Sequence, residues 1–225
     1  MPESPVTSGA AMLPQALPDA PASGDAALAE AARKRPRPGE RKVQILHTLA
    51  EMLQQPGADR ITTAALAAKL SVSEAALYRH FASKAQMFEG LIEFIESSVF
   101  TLVNQILERE SAGQAQAQRI TTMLLQFAER NPGMVRVMVG DALVFEHERL
   151  IARMNQFFDR VEGQLRVSLR GAADDAGSVT PTVQAQALAS ALTAFIVGRL
   201  HRYARSGFKR APTEGLDLVL PRLTA

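Results

Sequence analysis

The sequence predicts an all-α protein, with a small N-terminal three-helix head on a larger helical body. After residue 39, apolar residues recur at spacings of three and four, and no segment shows the sustained alternation expected of strands. Residues 62–84 (TTAALAAKLSVSEAALYRHFASK) also contain two short helical patterns separated by a tight turn. That arrangement is typical of a helix-turn-helix, which lays its second helix into the major groove of DNA.

Three regions are expected along the chain. Residues 1–39 are rich in Ala, Pro, Ser and Gly, so they are expected to be a disordered N-terminal extension. The basic cluster at residues 33–37 predicts a flexible arm that touches phosphate or enters a minor groove, with a solvated basic linker as the alternative. Residues 40–84 are predicted to form the helix-turn-helix DNA-binding domain, and residues 85–225 a helical dimerisation and partner-binding domain.

Local signals define the helix-turn-helix. Thr62 or Thr63 can cap its first helix, because a threonine oxygen accepts a free N–H of an opening turn. Residues 70–72 are expected to form the turn, with Val72 buried beneath it. Ser73 is predicted to cap the second helix.

The second helix of this pair is expected to read DNA. Leu77 and Phe81 lie four residues apart and form its inward face, which leaves the opening residues outward. Alanine methyl groups favour thymine methyl groups, and a carboxylate accepts from a cytosine amino group. The predicted base-facing residues are Ser73, Glu74, Ala75 and Ala76, and the predicted backbone-holding residues are Thr62, Thr63, Tyr78, Arg79, His80 and Lys84.

Other interpretations of these residues stay open. A helix pair of this kind also occurs as a plain packing unit. His80 can be a packed imidazole hydrogen-bonded to its own helix, and Glu74 can serve only as a negative charge at a helix start. Ser83 is predicted to cap the next helix, whose N-terminal N–H groups can hold a further phosphate.

Composition and charge favour a nucleic-acid partner. Hydrophobic residues make up 47% of the chain and charged residues 21%, which is ordinary for a globular protein. The net charge is only +2, yet ten Lys and Arg stand against four acids between residues 33 and 84. The chain has no cysteine, which excludes disulfides and thiolate metal sites. Neither a signal peptide nor an apolar run of membrane-spanning length is expected.

The sequence does not predict an enzyme. Its four histidines are scattered. His147 and Glu148 begin a zinc-protease pattern, but Ile151 stands where the second histidine is required. There is no phosphate-cradling Gly loop and no nucleophile with a recognisable partner. We therefore predict no catalytic residue, no metal and no cofactor.

Proline and glycine signals divide the chain into helices. The first helix of the head is expected at residues 40–54, where Pro56 and Gly57 stop it. The helices of the body are expected at residues 84–109, 114–130, 141–170, 182–205 and 216–223, with a short helix ending near residue 139 and a loop at residues 171–181.

The long helices at 141–170 and 182–205 predict a homodimer. Each shows more apolar faces than one small domain can cover, so pairing with their copies would form a four-helix interface. A twofold dimer sets two recognition helices about one DNA turn apart and predicts a palindromic site. A monomer with a thick core is the alternative. The apolar residues concerned are Leu150, Ile151, Met154, Phe157, Phe158, Val161, Leu165, Leu169, Ala185, Leu188, Ala189, Leu192, Phe195 and Ile196, with Arg199 beside them.

Three stretches resemble the TetR family of dimeric DNA-binding proteins, and within it the nucleoid occlusion factors. They are residues 60–96 (RITTAALAAKLSVSEAALYRHFASKAQMFEGLIEFIE), 129–133 (ERNPG) and 142–166 (ALVFEHERLIARMNQFFDRVEGQLR). The resemblance covers roughly residues 40–210 and departs from the family at Ser71, where the turn usually has Gly. The resemblance therefore implies a positive φ at Ser71, at a modest cost in strain. It implies a TetR-like fold for the whole helical part, and a cytoplasmic, nucleoid-associated protein.

The same resemblance implies the division protein FtsZ as a partner, whose polymers the protein would disrupt near the chromosome. An extended FtsZ tail would fit a groove between the helices at 84–109 and 114–130. The residues expected to face that groove are Phe94, Met123, Gln126, Phe127 and Arg130. Burial of Phe94 against the head and a helix-dipole role for Arg130 are the alternatives. The competing function is a TetR-type repressor controlled by a small-molecule effector.

Overall fold

The computed structural model of the chain describes residues 39–55 and 60–224, and these two ranges contain helices and no strand. The prediction of an all-α fold is confirmed. The helices are α1 (Glu40–Gln54), α2 (Thr63–Lys69), α3 (Glu74–Tyr78), α4 (Lys84–Arg109), α5 (Gly113–Arg130), α6 (Pro132–Met138), α7 (Glu148–Asp175), α8 (Pro181–Arg205) and α9 (Leu216–Leu223), with a 3₁₀ turn at Asp141–Leu143. The predicted disordered extension, its basic arm at 33–37 and the stop at Pro56 and Gly57 lie outside the described residues.

Helices α1, α2 and α3 form the head, and the N-terminal caps of α2 and α3 are those that the sequence predicts, with Thr62 rather than Thr63 capping α2. The Oγ1 atom of Thr62 accepts a hydrogen bond from the N–H of Ala65 at 3.1 Å. The Oγ atom of Ser73 accepts from the N–H of Ala76 at 3.2 Å. Each cap satisfies a backbone donor that would otherwise have no partner in the helix, and such caps are worth about 1 kcal/mol.

Helix α4 runs from the head into the body and contributes to the core of both. A stripe of apolar side chains at helical spacing from Phe88 to Val103 is buried, whereas Ile106, at the far end of that stripe, is only half-buried. Met87, which directly precedes this stripe, is also fully buried. The reason is that α1, α5, α6 and α7 all pack on α4, so that its buried arc is wider than one stripe.

Two ion pairs hold the start of α7 along α4. The Nε atom of Arg149 lies 2.7 Å from a carboxylate oxygen of Glu89, and the Nη2 atom of Arg153 lies 2.6 Å from a carboxylate oxygen of Glu96. The hydrogen bond from Glu96 raises the pKa of the Arg153 guanidinium above its ordinary value. Both pairs are partly exposed, so they fix the register of the two helices more than they stabilise the fold.

The predicted helix at 141–170 is wrong at both ends. Gly140 takes a φ of 85°, only a 3₁₀ turn follows it, and α7 begins after His147, whose Nδ1 atom accepts from the N–H of Arg149 at 3.3 Å. At the other end, Gly171 does not stop the helix, which continues to Asp175. A glycine inside a helix costs only about 1 kcal/mol, and burial of the flanking residues Leu169 and Ala173 outweighs that cost.

Two helices meet the length and composition criterion for a membrane span, contrary to the sequence expectation. They are α4 and α8. Apolar helices that pack in a protein core pass the same criterion. In α4 most of the larger apolar residues are core residues, although Phe94 and Phe100 are only half-buried, whereas α8 also carries small apolar side chains on the protomer surface.

The head packs on the body through a close backbone contact. An ideal Cβ atom placed on Gly133, near the start of α6, would lie 1.9 Å from the carbonyl oxygen of Ala50 in α1. No side chain fits in that space, so α6 approaches α1 to the distance that only glycine allows.

We expect Gly133→Ala to lower the free energy of unfolding by about 2 kcal/mol, because the added methyl group meets backbone that cannot rotate away. Thermal unfolding measures the effect. The matched control is Gly171→Ala, since Gly171 is helical and a Cβ atom there meets nothing within 4 Å. A melting temperature for Gly133→Ala equal to that of the wild type would contradict the close contact.

Candidate nucleic-acid interface

A hydrogen-bond chain centred on Thr63 joins the two helices of the helix-turn-helix. The hydroxyl of Thr63 donates to a carboxylate oxygen of Glu74 at 2.5 Å. The hydroxyl of Tyr78 donates to the Thr63 oxygen at 3.5 Å. Thr63 of α2 therefore fixes both the first and the last residue of α3, and this sets the angle between the two helices.

These hydrogen bonds around Thr63 change the interpretation of two predicted DNA contacts. Glu74 was expected to face a base, but its carboxylate is held by Thr63 in the structure. Thr63 was expected to hold phosphate, but its hydroxyl is committed to α3. Both residues thus orient the recognition helix, and a direct contact of either one with DNA stays a prediction.

The remaining predicted residues of α3 form an accessible face. Ser73, Ala75 and Arg79 are exposed, and Tyr78 is 44% exposed. Ala76 and His80 are half-buried at the edges of this face. Leu77 and Phe81 are buried, as the sequence predicts. The start of α3 is therefore open to a DNA groove, and its far end presents Tyr78 and Arg79 for phosphate.

The turn between α2 and α3 is short, and it does not bury its central side chains. Ser71 has a φ of 54°, the left-handed conformation expected for a position where glycine is usual. The N–H groups of Ser71 and Val72 both donate back to α2, to Ala68 and Ala67, at 3.0 Å. Val72 is half-buried, so the expectation of full burial is wrong. With so short a turn, its side chain stays at the edge of the head.

Lys84 is directed to the body. It was predicted to hold the DNA backbone, but its ammonium group forms an ion pair with Glu146 and lies 5.6 Å from the centre of the Phe88 ring. Its side chain is 25% exposed. A phosphate contact by Lys84 therefore requires that phosphate replaces Glu146 as its partner.

Sequence reasoning overlooked Gln86. The Oγ atom of Ser83 accepts from the N–H of Gln86 at 3.2 Å, which confirms the predicted cap of α4. The side chain of Gln86 reaches back and accepts from the N–H of Ala82 at 2.8 Å. Together they fix the entry into α4 immediately after α3. The available signal was the Ser-x-x-Gln spacing of a capping box.

A second candidate surface lies where α4 passes α5. These helices are antiparallel, because only residues 110–112 join them, and equal counting from that connection places Phe94 about level with Ala128. Phe94 and Gln126 are half-buried and Arg130 is exposed. Met123 and Phe127 are only 5% and 8% exposed, so the expectation that they face the groove is wrong. They belong to the broad buried face of α5, which packs against α4, α7 and α8.

Comparisons with known proteins match both halves of the chain. The family of bacterial regulatory proteins of the tetR type matches residues 45–91, and the tetracyclin repressor-like C-terminal domain of the SlmA type matches residues 113–224. The nucleoid occlusion factor SlmA of Photobacterium profundum is 51% identical over 186 residues, which are 82% of this chain and 94% of that protein. The chain belongs to the SlmA family of TetR-type regulators. The SlmA of Aliivibrio fischeri is 50% identical over 84% of this chain and 97% of its own length.

A solved structure supports the same fold. A TetR-like transcriptional regulator from Rhodococcus sp. RHA1 superposes with a TM-score of 0.66, over 84% of this chain and 97% of that chain, at 18% identity.

Members of the SlmA family are DNA-binding regulators and not enzymes, which confirms the sequence interpretation.

We expect Arg79→Gln to weaken binding to specific and non-specific duplexes by the same factor, because a phosphate contact carries no sequence information, and to lower the salt slope by about 0.9 for each Arg79 that contacts a phosphate. Fluorescence anisotropy at several salt concentrations measures both. Arg109→Gln, with the same charge change at the far end of α4, should bind like the wild type. An unchanged slope for Arg79→Gln would remove Arg79 from the interface.

Proposed function

We propose that this protein is a nucleoid occlusion factor. As a cytoplasmic homodimer on the nucleoid, it binds palindromic DNA and uses its helical body to catch FtsZ and antagonise FtsZ assembly over the chromosome. The observation that carries the proposal is the roughly 50% identity to proteins named nucleoid occlusion factor SlmA across more than four fifths of the chain. The accessible start of α3, held in place by Thr63, supplies the DNA-reading element.

Support for the dimer comes from the outer face of α7 and α8. Most of the apolar residues that suggested a dimer, such as Leu150, Phe157 and Leu192, are buried inside the protomer. A second apolar face nevertheless remains. Its exposed members are Val183, Ala187, Ala191, Ala194 and Gly198, at helical spacing along α8, and Val167 of α7, which lines one surface pocket with Val183 and Ala187.

A second copy of the chain suits this face. The side chains along α8 are small, so they allow two α8 helices to approach closely. Two α7–α8 pairs packed about a twofold axis would form a four-helix bundle, the arrangement expected for an isologous dimer. Each protomer then contributes one recognition helix, and together the two helices define a palindromic site.

Support for the FtsZ contact comes from the accessible part of the α4–α5 surface. Phe94 offers a half-exposed aromatic ring, and Arg130 offers a positive charge two residues beyond Ala128, the residue of α5 that lies level with Phe94. An aromatic anchor with a neighbouring cation suits an extended peptide that carries apolar and acidic residues. Helix α4 also begins directly beside α3, so one rigid helix carries both the DNA end and this surface.

We expect Ala191→Glu to dissociate the dimer, because the interface would bury a charge without a partner. Sedimentation equilibrium measures the molecular mass of the protein in solution. Affinity for a palindromic duplex should fall together with that mass. Gln105→Glu adds the same charge to an exposed position of α4 and should leave the mass unchanged. A dimeric Ala191→Glu protein would place the interface elsewhere.

We expect Phe94→Ala and Arg130→Asp each to weaken binding of a labelled FtsZ tail peptide at least tenfold, while duplex binding is retained. Fluorescence anisotropy with and without a selected palindromic duplex measures this and shows whether DNA affects the affinity. Arg119→Asp, at the other end of α5, is the matched control for charge. No peptide binding by the wild type in either condition would favour a repressor with a small-molecule effector.

A further inference from the structure

The C-terminal end of α8 and the turn after it carry a concentrated positive charge that the proposed function does not use. Residues 199–210 contain five Lys and Arg and no acid, and α8 itself contains no Asp or Glu. We call Arg202, Arg205, Lys209 and Arg210 the basic cap. All four are exposed. The negative end of the helix dipole attracts Arg202 and Arg205, but Lys209 and Arg210 lie beyond the helix, where that effect has faded.

The charges of the basic cap are directed to solvent. Elsewhere in the body, arginines such as Arg149 and Arg153 lie against carboxylates of a neighbouring helix. Within residues 39–55 and 60–224, no carboxylate lies within 4.0 Å of the cationic groups of the basic cap. Four uncompensated cations close together repel one another, so this arrangement favours the binding of an anion.

The turn that presents Lys209 and Arg210 is built rigidly. The Oγ atom of Ser206 accepts from the N–H groups of Lys209 and Arg210 at 3.1 and 2.9 Å and donates to the carbonyl oxygen of Tyr203 at 2.8 Å. Phe208 has a φ of 62°, and its ring meets the Tyr203 ring edge-on at 5.2 Å. A positive φ at phenylalanine costs about 1–3 kcal/mol, and this packing holds the turn in that conformation.

Helix α6 connects the basic cap to the DNA-binding head. The guanidinium of Arg136 in α6 lies over the Phe208 ring, with 5.7 Å between the guanidinium carbon and the ring centre. Three residues earlier in α6, Gly133 packs on Ala50 of the head. The hydroxyl of Tyr203 donates to the carbonyl oxygen of Glu129, at the end of α5 next to α6. The basic cap therefore lies at the head end of the body and adds to the positive charge of the head.

We infer that the basic cap binds phosphates of the DNA that flanks the palindrome, outside the base pairs that α3 reads. This inference rests on the proposed DNA-binding function. Lys and Arg side chains without a carboxylate partner are suited to phosphate oxygens, and such contacts carry no sequence information. The cap widens the footprint of the protein on DNA and increases its salt dependence, while the sequence preference stays with α3.

The test compares a short duplex, containing only a palindrome selected by the wild-type protein, with one extended by ten base pairs on each side. Lys209→Gln/Arg210→Gln removes two cations and keeps the backbone donors that bind Ser206. The wild type should bind the extended duplex more tightly and with a steeper salt slope. Each lost phosphate contact lowers the salt slope by about 0.9. The double variant removes two cations from each protomer, so it should lower the slope for a dimer by up to about 3.6. Its affinity for the short duplex should equal that of the wild type.

Arg109→Gln/Arg119→Gln, with the same charge loss at the other end of α4 and α5, should behave like the wild type on both duplexes. Equal binding of the two duplexes by the wild type, or equal weakening of both by Lys209→Gln/Arg210→Gln, would overturn the inference and leave the head function intact. No binding to either duplex by the wild type would overturn both. Loss of binding to phosphatidylglycerol vesicles in Lys209→Gln/Arg210→Gln, with unchanged affinity for the extended duplex, would assign the cap to a lipid surface instead.

Discussion

The backbone contact between Gly133 and Ala50 is the constraint on which the orientation of the head depends. A three-helix head on one long helix would be free to swing about the start of α4. The contact with α6 adds a second fixed point, and because it joins backbone to backbone it has no rotamer to relax. The direction in which α3 points is thereby set by the body, as a dimeric reader of a palindrome requires.

Helix α4 connects the two candidate surfaces physically. Its start is fixed by Ser83 and Gln86 directly after the recognition helix, and the ion pair between Lys84 and Glu146 ties that start to the segment before α7. About ten residues further along the same helix lies Phe94. DNA that replaced Glu146 as the partner of Lys84 would release one of the links between head and body. The structure thus offers a direct route by which DNA binding affects the body.

The cations of the protein fall into two groups: some form ion pairs between helices, and others are exposed without a carboxylate partner among the residues that the structure describes. Arg149 and Arg153 of α7 are compensated by Glu89 and Glu96 of α4, and these ion pairs fix the register of the two helices. The cations of Arg79 and of the basic cap point outward from the head end. Partly exposed ion pairs contribute little stability. The informative difference between the two groups is therefore the positive charge that no described carboxylate compensates. Uncompensated cations at one end of a protein suit a long polyanion better than a small ligand.

The sequence by itself determined the local features: the caps at Thr62, Ser73 and Ser83, the left-handed Ser71 and most of the helix ends. These depend on interactions within a few residues, which residue type and spacing specify. Tertiary structure alone decided that Met123 and Phe127 are buried, that Glu74 is held by Thr63 and that Gly171 lies inside a helix. In each case the outcome depends on residues from another segment of the chain. For Gly171, burial of Leu169 and Ala173 outweighs the cost of about 1 kcal/mol of a glycine inside a helix.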